Sequence, residues 1–296
     1  MRRQKGLFIS VLDTRQDNRV KSFLITLLLL FAPYSYSKER IVVLSPAINE
    51  IVYALGAGDE IVANTSYSTF PKESESKPKV GGYFSVSLEK IMLQKPTLVL
   101  MQRNNLSLKP KLQKLGIKVK LISISTMDDI KKAIMEISEI IDKTNRARRI
   151  IKEIDSALKS LKGIVENKKI LIVFGNCFDL SDEIYVSGNN LYFQDIVKAS
   201  GNKNAVASNS DKQPILSYEG VVAVNADIIY ILAHDLNDAR QRNQLLEVWG
   251  KLPVTAAKRG TIYINDKKYA SMPSQRVVLF IEDFKRILKD AASRFR

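Results

Sequence analysis

The sequence predicts an α/β protein of two similar lobes with a helical segment between them whose place suits a stiff bridge. Three observations carry this. First, SLEKIMLQKPTLVLM at 87–101 is echoed by SYEGVVAVNADIIYI at 217–231, and EIVYALGAGDEIVAN at 50–64 by DIVKASGNKNAVASN at 195–209, with Glu50 over Asp195 and Gly56 over Gly201. Second, runs of Val, Ile and Leu too brief for helices alternate with helix-length segments in both halves, as in βα units. Third, residues 126–168 change to apolar spacings of three and four, with no proline and no strand-like run.

Residues 1–37 stand apart from both lobes. A polar, basic start (Arg2, Arg3, Lys5, Arg15, Arg19, Lys21) precedes FLITLLLLFA at 23–32 and then PYSYS, whose Ser35 and Ser37 are small enough for a signal-peptidase site. The apolar run is well short of the roughly 20 residues of a membrane span. It therefore reads as a signal peptide, removed on export. A translation start near Val20 gives the leader ordinary proportions and leaves 1–19 untranslated. The first lobe then covers 38–143, with strands expected at RIVVL (40–44), EIVAN (60–64), TLVLM (97–101) and KVKLISI (118–124). Helical spacing runs to about 142, where Asp142, Lys143, Thr144 and Asn145 offer a break, and a second helix of about 35 Å is expected from 144 to 166. This bridge, 144–167, leads to a second lobe at 168–296. Its expected strands are KILIVFG (169–175), DIIYILA (227–233) and GTIYIND (260–266), with helices near 189–200, 217–224, 238–249 and 274–294.

Composition excludes several functions. The chain holds one histidine, His234, whereas zinc sites and Ser-His-Asp machinery draw on imidazoles. No GxSxG, HExxH or Walker A stretch occurs, and LGAGDE at 55–60 ends a helical segment where a nucleotide fingerprint would open one. A resident metal or cofactor is therefore not expected, and an exported two-lobed enzyme acting on a chelate stands only as the alternative from another class, since a phosphate loop, a base and a metal set are lacking. The formal charge is +15, but the densest cluster, NRARR at 145–149, lies on a helix without interleaved aromatics and reads as a solvated face, so no nucleic-acid partner is expected. Cys177 is the only cysteine, which leaves no disulfide and no lipid-anchor cysteine near the leader. Export thus predicts a protein free in the periplasm, and a monomer.

What remains for chemistry is a set of aromatics at loop positions: Tyr67 and Phe70 in NTSYSTFP, Tyr83 and Phe84 in KVGGYFSVS, Phe174 and Phe178 in VFGNCFDL, and Tyr185 in DEIYVSG. Any one could be core. Together, beyond strand carboxyl ends on two facing lobes, they read as the lining of a ligand cleft. Glu89 and Glu219 recur at the same place in the echoed segments, each two residues after a serine fit to cap a helix, where an acid stabilises the helix dipole by roughly 0.3 to 1 kcal/mol.

LSPAINEIVYALGAGDEIVANTSYSTFP, KPKVGGYFSVSLEKIMLQKPTLVLMQ and LQKLGIKVKLI, and then VSGNNLYFQDIVKASGNKNAV, SYEGVVAVNADIIYIL and WGKLPVTAAKRGTIYIND, resemble the periplasmic substrate-binding proteins for cobalamin, ferric siderophores and haem. The resemblance covers essentially all of residues 40–292, and the cobalamin-binding subgroup is the most similar through LSPAINE and TSYSTFP. It implies two α/β lobes joined by one rigid helix, a metal chelate held between them, and delivery to an inner-membrane permease driven by a separate ATPase. It also implies that Glu89 and Glu219 meet arginines of that permease. Where cobalamin-binding relatives place groove tryptophans this chain has Gln102 and Gln213. Haem-binding relatives use a tyrosine phenolate near the position of Tyr83, although its register to Glu89 is one residue short. Siderophore-binding relatives use Arg, Lys or Tyr against anionic chelates. Cobalamin is the first expectation, with a ferric siderophore or haem as alternatives.

Overall fold

The computed structural model describes residues 38–208, 210, 213–234, 236 and 238–296, so the leader and the question of the start codon lie outside the described residues. Residues 39–296 form one compact unit. In chain order the first half contains β1 (Ile41–Val43), α1 (Pro46–Ala54), β2 (Ile61–Asn64), α2 (Leu88–Leu93), β3 (Leu98–Met101), α3 (Lys109–Lys114), β4 (Lys118–Leu121) and α4 (Met127–Ile140). Its four strands are all parallel in the order β2-β1-β3-β4.

Then come α5 (Thr144–Lys159), β5 (Lys169–Phe174), β6 (Ile184–Val186), α6 (Tyr192–Ala199), β7 (Lys203–Asn204), β8 (Ile215–Leu216) and α7 (Tyr218–Val224). They are followed by β9 (Ile228–Leu232), α8 (Ala239–Gly250), α9 (Thr255–Arg259), β10 (Ile262–Asn265) and α10 (Val277–Arg294). In the second sheet β7, β5, β9 and β10 repeat the parallel order of the first, while β6 pairs antiparallel with β5 and β8 antiparallel with β6.

The echoed sequences are echoed structures. Helices α1 and α6 both end on a glycine at positive φ, Gly56 at 84° and Gly201 at 78°. In each, the following N–H closes the last turn, Ala57 N to Val52 O at 3.1 Å and Asn202 N to Val197 O at 3.2 Å. Any other residue would carry a Cβ into the left-handed region, so the glycines fix where both helices stop.

Strand alternation sorts the core into layers. Ile41, Leu98 and Leu100 of the first sheet, and Ile170, Ile172, Ile228 and Tyr230 of the second, point into one apolar cluster filled by α1, α4, α5, α6 and α10. Val42 and Val99 face a separate outer cluster of the first half, and Leu171, Ile229 and Ile231 one of the second. The two halves therefore share a helical layer, and α5 is one member of it. Helix α5 is also shorter than the spacing predicts: it ends at Lys159, about 24 Å from its start at 1.5 Å per residue. Beyond it the backbone finds partners outside a helix. Gly163 takes φ 80°, Asn167 N donates to Gly201 O at 2.9 Å, and Asn202 Nδ2 donates to Val165 O at 2.9 Å.

Candidate functional site

In a parallel sheet of order 2-1-3-4 the chain departs in opposite directions from β1 and β3, and a crevice opens beyond their carboxyl ends. A pocket of about 350 Å³ occupies that place. Ser45, Pro46 and Ala47 follow β1, Gln102 follows β3, Ile124 follows β4, and Tyr67, Tyr83 and Phe84 come from the loops after β2; Met272 and Pro273 of the second half close the far side. Ser45 also caps α1, accepting from Ile48 N at 3.5 Å, and Pro46 takes the first turn, where its missing N–H costs nothing.

The loop carrying Tyr67 and Phe70 is held from below by buried amides. Asn64 Nδ2 donates to Asn49 Oδ1 at 3.1 Å and to Ser74 Oγ at 2.9 Å, and Asn49 Nδ2 donates to Ser74 Oγ at 2.7 Å and Phe70 O at 3.1 Å. Lys79 Nζ donates to Asn64 Oδ1 at 2.7 Å and to Ser74 O at 2.9 Å. Burial lowers the Lys79 pKa from its ordinary value, against the field of Glu75. The next loop is gripped by Asn104 and Asn105, whose Nδ2 atoms donate to Tyr83 O at 2.9 and 3.1 Å. These asparagines were not singled out by sequence reasoning. The only hint is polar Asn49 among the apolar residues of PAINEIVYA.

Rigid loops leave aromatic surface bare: Tyr67 is 65% and Phe84 80% exposed. Tyr83 and Phe84 pack edge to face with centroids 4.7 Å apart, and the Tyr83 hydroxyl donates to Gln102 Oε1 at 2.8 Å. Burial raises the Tyr83 pKa, so the phenol keeps its proton at neutral pH. The ten lining residues present aromatic faces, hydroxyls and an amide and carry no formal charge.

The second-half aromatics are elsewhere. Phe174 packs on Phe193 at 5.4 Å, Phe178 packs on the outer cluster of the second sheet, and the Tyr185 hydroxyl donates to Glu183 Oε2 at 2.8 Å on a half-exposed strand. Gln213 is exposed and does not line the pocket. The structure thus brings together Tyr67, Tyr83 and Phe84 and leaves Phe174, Phe178 and Tyr185 outside that pocket. His234, at the end of β9, is outside it too. No group of three or more His, Cys, Asp or Glu among the described residues is placed to hold a metal ion.

Glu89 and Glu219 sit in matching exposed sites on the two halves. Ser87 Oγ accepts from Lys90 N and Ser217 Oγ from Gly220 N, both at 3.2 Å, and the same hydroxyls donate to Glu89 Oε2 at 2.7 Å and Glu219 Oε2 at 2.8 Å. Both carboxyls are held below their ordinary value, Glu89 chiefly by the Ser87 hydroxyl and Glu219 chiefly by its own backbone N–H.

Comparison with known proteins agrees with this architecture. The chain is 27% identical over 263 residues to the vitamin B12-binding protein of Vibrio vulnificus (strain CMCP6), an alignment covering 87% of this chain and 93% of that one. Among solved structures it resembles the periplasmic vitamin B12 binding protein BtuF of Vibrio cholerae, with a TM-score of 0.73 at 21% identity, over 86% of this chain and 97% of the other. It resembles the periplasmic heme binding protein HutB of Vibrio cholerae with a TM-score of 0.71 at 19% identity, over 85% and 99%. Residues 41–269 match the family model described as periplasmic binding protein, and the chain belongs to that family.

Proposed function

We propose that the protein is the substrate-binding component of an ABC importer, not an enzyme, and that it captures a corrinoid in the pocket beyond β1 and β3 and hands it to an inner-membrane permease. The uncharged lining carries this reading. A corrin ring is a large, partly apolar plate edged with carboxamides, which aromatic faces, hydroxyls and the Gln102 amide can meet without burying an unpaired charge. Catecholate siderophores and the propionates of haem bring anionic groups, which are met best by Arg or Lys, and neither lines this pocket. Tyr83 lies in the pocket as a haem ligand would, yet its proton is committed to Gln102 and burial opposes the phenolate. The metal arrives inside its chelate. Calorimetric titration of cyanocobalamin, haem and a ferric siderophore into the mature protein tests the assignment. Submicromolar binding of cyanocobalamin alone is the expected result. A tyrosinate-iron absorption band lost in Tyr83→Phe makes the ligand haem, and tight binding of the siderophore alone also overturns the corrinoid.

Export completes the reading. The leader is cleaved at or near Ser37, leaving a monomer free in the periplasm, which mass spectrometry of the mature N-terminus and fractionation after a high-salt wash test. The exposed acids Glu89 and Glu219 dock on the permease, one on each half. Replacing both with Ala leaves ligand affinity in solution unchanged while uptake fails. Loss of affinity in a folded double variant moves these residues into the ligand site instead. Helix α5 and the layer around it serve as a stiff bridge between the lobes.

A further inference from the structure

Two carboxylates cross between the halves, and they occupy the echoed positions Glu50 and Asp195. Glu50, on α1 of the first half, is 2% exposed. It accepts from Ser274 Oγ at 2.6 Å, from Arg276 Nε at 2.9 Å and from Arg276 Nη2, all in the loop that opens α10 of the second half. Asp195, on α6 of the second half, accepts at 2.8 Å from Met127 N, the first residue of α4 in the first half. Each half thus sends an acid from its first helix to the N-terminal end of the other half's last helix, where a negative charge is favoured. A buried, forked Arg–carboxylate pair adds direction to this charge, because the guanidinium holds one geometry.

Both contacts lie directly behind the pocket walls. The loop pinned by Glu50 carries Met272 and Pro273, and the loop ended by Met127 carries Ile124, so the two equivalent loops that face the ligand from opposite halves are each anchored by the opposite half. Arg276 also lies over the Phe70 ring, 3.8 Å from its centroid, in the loop that presents Tyr67.

We propose that Glu50 and Asp195 are a reciprocal pair of positioning residues that set the width of the ligand cleft. This rests on the pocket being the ligand site, so the test reads cleft geometry and binding separately. Spin labels at Lys114→Cys and Lys258→Cys, in a Cys177→Ser background, report the distance between the halves. In the otherwise unaltered mature protein the distribution is narrow. In Glu50→Gln/Arg276→Gln, which leaves no buried charge unpaired, it broadens about two-fold and cyanocobalamin affinity falls about ten-fold. In Asp195→Ala, which removes one hydrogen bond, it broadens less and affinity falls about three-fold. Asp195→Glu, which keeps the acid, restores part of both. If the paired variant does not fold, Asp195→Ala and its rescue carry the test. An unchanged distribution in folded variants overturns the proposal whatever the ligand. Broadening with cyanocobalamin affinity intact also overturns it, since cleft width then does not govern binding. Broadening in a protein that binds none of the three chelates upholds the positioning role and overturns the corrinoid reading.

Discussion

The two halves use one strand order, β2-β1-β3-β4 and β7-β5-β9-β10, and diverge just after the central strand that opens each. In the first half the chain passes from β1 straight to the Ser45 cap of α1, so Ser45, Pro46 and Ala47 stand at the mouth of the sheet. In the second, residues 175–191 intervene between β5 and α6 and fold β6 against β5, pairing Phe174 with Tyr185. Of the insertion's aromatics, Phe178 packs on the outer cluster of the second sheet and Tyr185 stays part-exposed, so neither lines the pocket. A duplicated scaffold can thus keep matching outer acids, Glu89 and Glu219, while one half builds most of the pocket. The pocket is lopsided, and the two acids are matched.

The largest effect should come from the amides beneath the first-half loop. Asn64→Leu strips the bonds to Asn49, Ser74 and Lys79 and leaves buried groups unsatisfied. It should cost about 3 kcal/mol in urea unfolding and weaken cyanocobalamin binding more than about ten-fold. Asn204→Leu, in the equivalent second-half strand, loses the bonds to Ser187 O and Gly188 O and should cost about 1 to 2 kcal/mol with affinity intact. Equal losses of affinity in the two variants would break the comparison.

Alkaline pH should act next, and on the second half. Tyr269 is pushed up to about 12 and Tyr230 and Tyr263 higher still, each chiefly by burial. Such groups hold their protons more tightly folded than unfolded, so their contribution is intact below the unfolded value of about 10 and is lost as pH climbs past it. The urea midpoint, followed through buried Trp249 of the second half, should fall steeply between pH 10 and 12. Tyr269→Phe should start lower, having lost its bond to Asp283, but fall less steeply. Equal slopes would remove tyrosine from the account.

Subtler still is the difference between the matched acids. Carboxyl titration by NMR should show Ser87→Ala raising the Glu89 pKa more than Ser217→Ala raises that of Glu219, because the serine is the leading cause only in the first. The smallest change should be in overall size. With one apolar layer shared between the halves, adding cyanocobalamin should shift the radius of gyration in X-ray scattering by less than about 1 Å. A contraction of several ångströms would mean that the layer parts.

Much of the fold is legible in the sequence because its strands are pure local signals. RIVVL, EIVAN, TLVLM, KILIVFG and DIIYILA each contain a strand at the expected place, and the echoes place Gly56 and Gly201 at equivalent helix ends. Strands β6, β7 and β8 escape notice because they are two or three residues long and owe their pairing to neighbours distant in sequence. The expectation of a helix to residue 166, where the structure ends it at Lys159, overextends for a related reason: Leu161 and Val165 keep the helical spacing, but Asn202 takes the backbone there. At the site, Tyr67, Tyr83 and Phe84 are legible as loop aromatics, whereas Asn49, Asn64, Met272 and Pro273 acquire their roles only once distant loops meet. Phe174, Phe178 and Tyr185 look like the others in sequence. Only the pairing of Phe174 with Tyr185 across β5 and β6, and the packing of Phe178 on the outer cluster, separate them.

The most direct measurement is a parallel calorimetric titration of cyanocobalamin into Tyr83→Ala and Tyr185→Ala. Loss of the Tyr83 ring removes a pocket wall and its bond to Gln102, and should weaken binding about ten-fold or more, while Tyr185→Ala should stay within about two-fold of the unaltered protein. Unimpaired binding in Tyr83→Ala, or the larger loss in Tyr185→Ala, would contradict a ligand site built on the first half.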